Sequence, residues 1–327
     1  MDAEAPPPSA ADPYAHLQLV ANPDGSYTRL FSPPTVPTTA ASDTTSPVLT
    51  KDVIVNEDNN TWFRIFLPRV VSPDRKLPII VYFHGGGFIL LSPATDFCHD
   101  FCARMAASTP AVVVSVRYRL APEHRLPTAY HDAVEAVYKL RECIADEWLA
   151  SNADFAKIYL AGTSAGGNIA YRVGLQLSTA AVNGQLEPLK VKGLILHHPF
   201  FGGVVRTPSE ERLVNDQILP LCMTDLMWKL SLPSGADRDH QYCNPTSGNA
   251  DDLAKLECFK KMGWEVLVMA SDGDPLYDGQ LALEALLAGS GVRVSRALSS
   301  GDGHGIELFD PVKAEVLLGE IKLFVGQ

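Results

Sequence analysis

The chain has 327 residues, enough for one large domain with an accessory layer or for two domains. Hydrophobic residues make up 46% and charged residues 20%, an ordinary globular composition that excludes a mostly disordered chain. Acidic residues outnumber basic ones by 38 to 27, and a surface carrying a net −11 repels phosphate backbones and anionic lipid, so no nucleic-acid or membrane-surface role is expected.

From the N-terminus, MDAEAPPPSAADPYAHLQ lacks a basic stretch and an apolar stretch and is too acidic for a transit peptide, and the closing LFVGQ carries no lipidation or peroxisomal signal. No run approaches the roughly 18 apolar residues of a membrane-spanning helix, so a soluble, cytosolic protein is expected. Residues 1–50, rich in Pro, Ser, Thr and Ala, read as an extended arm with one short helix near Tyr14–Leu19 and turns at Asn22–Gly25 and Ser32–Pro34. DVIVN and TWFRIFLP, separated by EDNN, then predict an antiparallel hairpin.

Strands and helices alternate beyond it. Continuous apolar runs at 77–84, 111–118, 158–162, 191–198 and 264–270 predict strands buried on both faces. Helical spacing marks 96–107, where Cys98 and Cys102 share a face as half-buried residues rather than metal ligands. It also marks 127–145, with a stripe of Tyr130, Val134, Val137, Tyr138 and Ile144, and then 165–177. Residues 205–250 break the alternation and read as an insertion with a helix near 221–231; a helix at 278–289, a strand at 292–298 and a helix at 311–325 close the chain. The pattern predicts an α/β fold: a mostly parallel sheet with helices on both faces and an antiparallel edge. With six cysteines and no secretory signal, reduced thiols are expected.

Gly162-Thr163-Ser164-Ala165-Gly166 joins a buried strand to a helix. In that context the pattern predicts a nucleophile elbow, in which small residues two before and two after the serine permit a tight turn and the helix N-terminus adds positive potential. His84-Gly85-Gly86-Gly87 ends another strand, and no Lys-Ser/Thr follows to make it a phosphate loop. Acyl transfer needs fixed N–H donors for the charge that develops on the carbonyl oxygen, so Gly85, Gly86 and Ala165 are the candidate oxyanion hole, with His84 as the loop's anchor. A serine hydroxyl needs a base. His304, in a loop after the last strand, is the candidate, with His197 and His198 as rivals. The orienting acid lies between nucleophile and base in chain order, where Asp272, Asp274 and Asp278 compete and the pattern does not choose.

Taken together, VYFHGGGFIL (81–90), YRLAPEHRLPTAYHDA (118–133), GTSAGGNIAY (162–171), DRDHQYCNP (237–245), DGDPLYDGQ (272–280) and GHGIELFDP (303–311) resemble the hormone-sensitive-lipase-like branch of the α/β-hydrolases, the GDXG-type lipolytic enzymes, and within it the plant class I carboxylesterases. The likeness runs from about Asp12 to the C-terminus. It implies one α/β-hydrolase domain over 1–327, with about eight strands under a cap built from the arm (1–50) and the insertion (205–250). It also implies Ser164 as nucleophile, His304 as base and Asp274 as acid. Two positions depart from the pattern: Thr163, where many relatives carry an acidic residue, and Arg117, where many carry a small polar one.

The resemblance implies a serine carboxylesterase acting on small to medium acyl esters, such as acetyl esters of plant specialised metabolites, with no metal or organic cofactor. It also admits a dehydratase or lyase using the same pocket, or a non-catalytic receptor similar to those for gibberellin. That receptor class lacks the histidine that stands here as His304. Phe88, Phe200, Phe201 and Leu219 flank the motifs and are the candidate apolar lining of the substrate site. A small-molecule ester is the expected partner, and the protein is expected as a monomer or weak dimer.

Overall fold

β-branched and aromatic runs separated by helical segments pair side by side into one sheet with its connections packed on both faces. The computed structural model describes residues 12–39, 43–69 and 76–326; the first residues of the predicted arm and the last residue of the chain lie outside them. In chain order the elements are α1 (Pro13–His16), β1 (Leu19–Ala21), β2 (Tyr27–Arg29), β3 (Val48–Asn56), β4 (Thr61–Pro68), β5 (Leu77–Phe83), α2 (Asp96–Ser108), β6 (Val112–Arg117), α3 (Thr128–Glu142), α4 (Glu147–Asn152), β7 (Ala153–Thr163), α5 (Ala165–Val182), β8 (Val191–His197), α6 (Pro208–Arg212), α7 (Leu221–Ser231), α8 (Ala250–Met262), β9 (Glu265–Ser271), α9 (Tyr277–Gly289), β10 (Arg293–Ser299) and α10 (Pro311–Val325).

The large sheet has eight strands in the order β10-β9-β8-β7-β5-β6-β4-β3. β3 and β4 form the predicted hairpin, and β4 also runs antiparallel to β6; the remaining pairs are parallel. Side chains of β5 alternate between two cores. Ile79, Val81 and Phe83 join the layer of α3, α5 and α8, while Ile80 and Tyr82 join Phe101 and Met105 of α2 and Leu318 and Ile321 of α10. Burial on both faces is why the strand reads as an unbroken apolar run.

The strand order places a reversal at β5. The chain moves from β5 to β6 on one side, returns to β7 on the other, and continues outward to β8, β9 and β10. A crevice opens outside the carboxyl ends of the strands at such a switch point. The two loops that meet there are the glycine run after β5 and the turn after β7, the segments singled out by their chemistry.

Smaller elements differ from the expectations. The short helix ends at His16 because Leu19 starts β1, paired with β2 around a turn in which Asn22 N–H donates to the Ser26 carbonyl. Ser32–Pro34 forms no turn. Tyr138 on α3 and Ile144 just beyond its end are exposed, and Ala129, Ala133, Ala136 and Leu140 complete the buried face of the helix instead. Among the described residues no helix is long and apolar enough to cross a membrane, and all six cysteines are free thiols.

The arm and the 205–250 segment converge over the sheet's carboxyl end. α1 packs on α7, and Arg29 forks onto Glu123 while also donating to the Ile89 and Ala121 carbonyls. Inside the segment, Arg206 and Arg238 both pair with Asp225, and Arg238 also reaches Glu210 at 2.6 Å.

Candidate active site

Ser164 sits between the last residue of β7 and the first of α5 with φ 58° and ψ −121°. A non-glycine residue in this region costs on the order of 1–3 kcal/mol and persists only where its surroundings impose it. Its N–H donates to the His197 carbonyl at 2.9 Å, and its carbonyl accepts from Asn168 and Phe200. The flanking glycines are required by contact: a Cβ on Gly162 would lie 2.2 Å from the Gly166 carbonyl, and one on Gly166 would lie 1.9 Å from the Phe83 oxygen of β5. The turn therefore lifts the Ser164 side chain above the sheet while α5 packs tightly beneath it.

The Ser164 hydroxyl lies 2.9 Å from His304 Nε2, and His304 Nδ1 lies 2.8 Å from Asp274 Oδ2. Leu276 N–H donates to Asp274 Oδ1 at 2.9 Å, and Gln280 Nε2 donates to Oδ2 at 2.8 Å. Burial opposes charge on the Asp274 carboxyl, but the neighbouring imidazoles, His304 first, and the Leu276 N–H hold it below the usual carboxylate range. Burial likewise lowers the His304 imidazole, but attraction to Asp274, their hydrogen bond and the more distant Glu307 and Asp216 leave it raised overall.

The three competing acids separate by geometry. Asp272 accepts from Gly301 N–H and the Ser300 hydroxyl, tying the loop that carries His304 to β9. Asp278 accepts from Ser209 N–H at the start of α6. Asp274 alone bonds to His304.

The rival histidines stand behind the site. His198 stacks against His304 with centroids 5.6 Å apart, and its Nδ1 lies 3.3 Å from Asp274 Oδ2. Burial, then its neighbour His197, push it down to about 3, so it is neutral. His197 Nδ1 lies 3.2 Å from the Thr163 hydroxyl, which accepts from Tyr82, and 3.4 Å from the Glu307 carboxylate. Burial opposes charge on the Glu307 carboxyl, but the neighbouring His197 outweighs it and holds the group at about 2. Glu307 and Gln280 lie inside the motif stretches 303–311 and 272–280, but what each of them touches is set by tertiary contact.

The glycine loop lies against the elbow. A Cβ on Gly85 would meet the Ser164 Cβ at 3.4 Å, and Gly86 has φ 98°, where a side chain would also strike the Leu90 carbonyl at 2.4 Å. Among the described residues the N–H groups of Gly85 and Gly86 donate to no acceptor, and Ala165, as the first residue of α5, has an N–H without an intrahelical partner. His84 faces away: its ring stacks on Tyr118 at 4.3 Å, its Nδ1 lies 2.9 Å from the Gly85 carbonyl, and burial lowers it to about 4.

Ser164, His304, Gly85 and Gly86 open onto one cavity of about 260 Å³ with a largely apolar lining. Leu219 lines it, together with Phe31 from the arm, Met223 and Met227 from α7, Tyr82, Leu90, Phe97, Cys98, Leu308 and Phe309. Phe88, Phe200 and Phe201 do not. Phe200 stacks on Trp228, Phe88 packs against the same ring at a tilt, and Phe201 packs edge-on to Tyr171, all under the loops in the core. They border the motifs in sequence but turn inward in space. A larger cavity of about 400 Å³ reaches His197, His198 and Glu307 from outside the His304 loop, without Ser164 on its wall. Among the described residues the one compact set of metal-type donors is His198, Asp274 and His304, of which Asp274 and His304 are already bonded to each other.

Comparison with known proteins agrees with this architecture. A family model described as alpha/beta hydrolase fold matches residues 80–308. Carboxylesterase 20 of Arabidopsis thaliana is 48% identical, covering 98% of this chain and 98% of its own length. The 3-O-acetylpapaveroxine carboxylesterase CXE2 of Papaver somniferum is 42% identical, covering 96% of this chain and all (100%) of its own. Among solved structures, a Pyrobaculum calidifontis esterase matches with a TM-score of 0.66 at 29% identity over 84% of each chain. The chain belongs to the α/β-hydrolase-fold family and, within it, to the plant carboxylesterases.

Proposed function

We propose that the protein is a serine carboxylesterase for small to medium acyl esters. The observation that carries this reading is the bonded series Ser164–His304–Asp274, at 2.9 and 2.8 Å, opening beside a glycine loop with free N–H groups. His304 takes the hydroxyl proton as Ser164 Oγ bonds to the ester carbonyl carbon. The carbonyl oxygen gains charge and is met by the N–H groups of Gly85, Gly86 and Ala165. The carbon–alkoxide bond then breaks, and the alcohol leaves with the proton from His304. Water, deprotonated by the same imidazole, releases the acid and restores the hydroxyl. Asp274 holds the imidazole with Nε2 free to accept.

The arm and the 205–250 segment serve as the cap, supplying Phe31, Ile218, Leu219, Met223 and Met227 to the cavity wall. Its size and apolar lining suit a short acyl group or a compact alcohol. The free thiols fit a reducing, cytosolic setting. On 4-nitrophenyl esters, kcat/KM is expected to be higher for acetate and butyrate than for palmitate; preference for palmitate, or comparable turnover of emulsified triglyceride, would contradict the reading. Product analysis tests the reaction class: alcohol plus acid is expected, and an alkene without hydrolysis points to a lyase.

His304 must be neutral to act as base. Since its site raises it, the acid limb of kcat/KM is expected to have its midpoint above the ordinary histidine value of 6.5. Stability runs the other way: a raised histidine contributes its full stabilisation below 6.5, and this is lost as pH rises through the folded midpoint. A pH–rate profile with its acid midpoint below 6.5 would contradict the proposed base.

A further inference from the structure

Leu91, which lines the cavity beside Ser164, also lines a separate cavity of about 460 Å³. Three arginines wall this second space. Arg29 is neutralised by a two-pronged pair with Glu123, at 2.8 and 2.7 Å. Arg119 is neutralised in the same manner by the buried Asp132. Arg117, the position that departs from the family pattern, has no such partner. Among the described residues its guanidinium forms no hydrogen bond and has no carboxylate within ion-pair distance. It is half-buried at the end of β6, with its Cζ over the Trp62 ring, 5.9 Å from the centroid.

A guanidinium carries five N–H donors in a planar fork that matches the oxygens of a carboxylate or phosphate. Arg117 is therefore a charged fork withdrawn in part from water and left without an acceptor, beside a cavity large enough for a small molecule. Asn59, Asn60 and Ser92 line the same space and offer neutral donors. Because Glu123 is committed to Arg29, Arg117 leaves the cavity with unbalanced positive charge, on a chain whose net charge is −11.

We propose that this cavity is a binding site for a small oxyanion, a carboxylate or a phosphate, held by the fork of Arg117. The proposal does not rest on the esterase reading, because the site shares no residue with Ser164, His304 or Asp274.

Isothermal titration calorimetry of the full chain, with inorganic phosphate and acetate in separate arms and ionic strength held with chloride, tests it. Saturable one-site binding of at least one probe is expected, with a dissociation constant of roughly millimolar order. The stronger arm identifies the class of anion. R117Q is expected to weaken binding at least tenfold while leaving ester turnover within twofold of wild type, and R117K, which keeps the charge but loses the fork, is expected to fall between. R117K also provides the comparison if R117Q does not fold. Ser164→Ala is expected to bind the probe like wild type, so failure of the esterase reading would leave this result standing. Absence of saturable binding in both arms, or undiminished binding by the folded arginine variants, would overturn the proposal.

Discussion

Ser164→Ala is expected to lower kcat for ester hydrolysis by about a million-fold, because residues that act as a unit lose nearly the whole effect when the nucleophile goes. The same substitution is expected to leave the fold intact. The strained backbone at φ 58° is imposed by β7, α5 and the contacts of Gly162 and Gly166, none of which involves the hydroxyl. The hydroxyl's partner is His304 Nε2. Thermal unfolding of the alanine variant should therefore stay close to wild type while turnover disappears. Retention of a tenth of wild-type turnover, in a preparation from a host lacking its own esterases, would remove Ser164 from the mechanism.

Asp274→Asn is expected to reduce kcat by about 10⁴-fold, the scale seen when an imidazole loses its orienting carboxylate. Both carboxylate oxygens receive donors: Leu276 N–H at Oδ1, and Gln280 Nε2 together with His304 Nδ1 at Oδ2. An asparagine has one acceptor oxygen. If that oxygen meets Leu276, its NH₂ confronts Gln280 and forces His304 to present Nδ1 as acceptor, which places the proton on Nε2 and blocks uptake from Ser164. This variant should also lose stability, and the loss has a defined pH dependence. The depressed wild-type carboxyl contributes stability above its ordinary value of 3.8, and this contribution fades as pH falls toward the folded midpoint. Asp272→Asn and Asp278→Asn disturb only loop and helix ties, so a larger loss of kcat at Asp272 than at Asp274 would reverse the assignment.

The strands that carry the site were legible because they are buried on both faces. β5 to β9 read as apolar runs, and the helix–strand alternation placed both chemical loops at carboxyl ends. α8 is not legible in the sequence because only Leu256 and Phe259 of its apolar residues are fully buried, while Leu253 and Met262 lie exposed and blur the period. The β1–β2 hairpin is too short, at three residues per strand, to show alternation. Within the site, strand-to-helix context marked Ser164 and the glycine loop; the residue pattern left three aspartates two to six residues apart, the family resemblance pointed to Asp274, and that same residue makes the hydrogen bond to His304. The cavity wall was least legible. Phe31, Met223, Met227 and Phe309 come from segments far apart in the chain, and apolar character near a motif could not distinguish Leu219 on the wall from Phe88 and Phe200 in the core. Met223 and Met227, at helical spacing on the predicted 221–231 helix, were the one available hint.

The acyl-carrying role proposed for Ser164 is tested by intact-mass and peptide analysis after stoichiometric treatment with a serine-directed organophosphate, with residual esterase activity followed in parallel. One phosphoryl adduct per chain, on the peptide containing Ser164, accumulating in step with loss of turnover, is the predicted result. Full labelling of Ser164 with turnover undiminished, or complete inactivation with Ser164 unmodified, would contradict it.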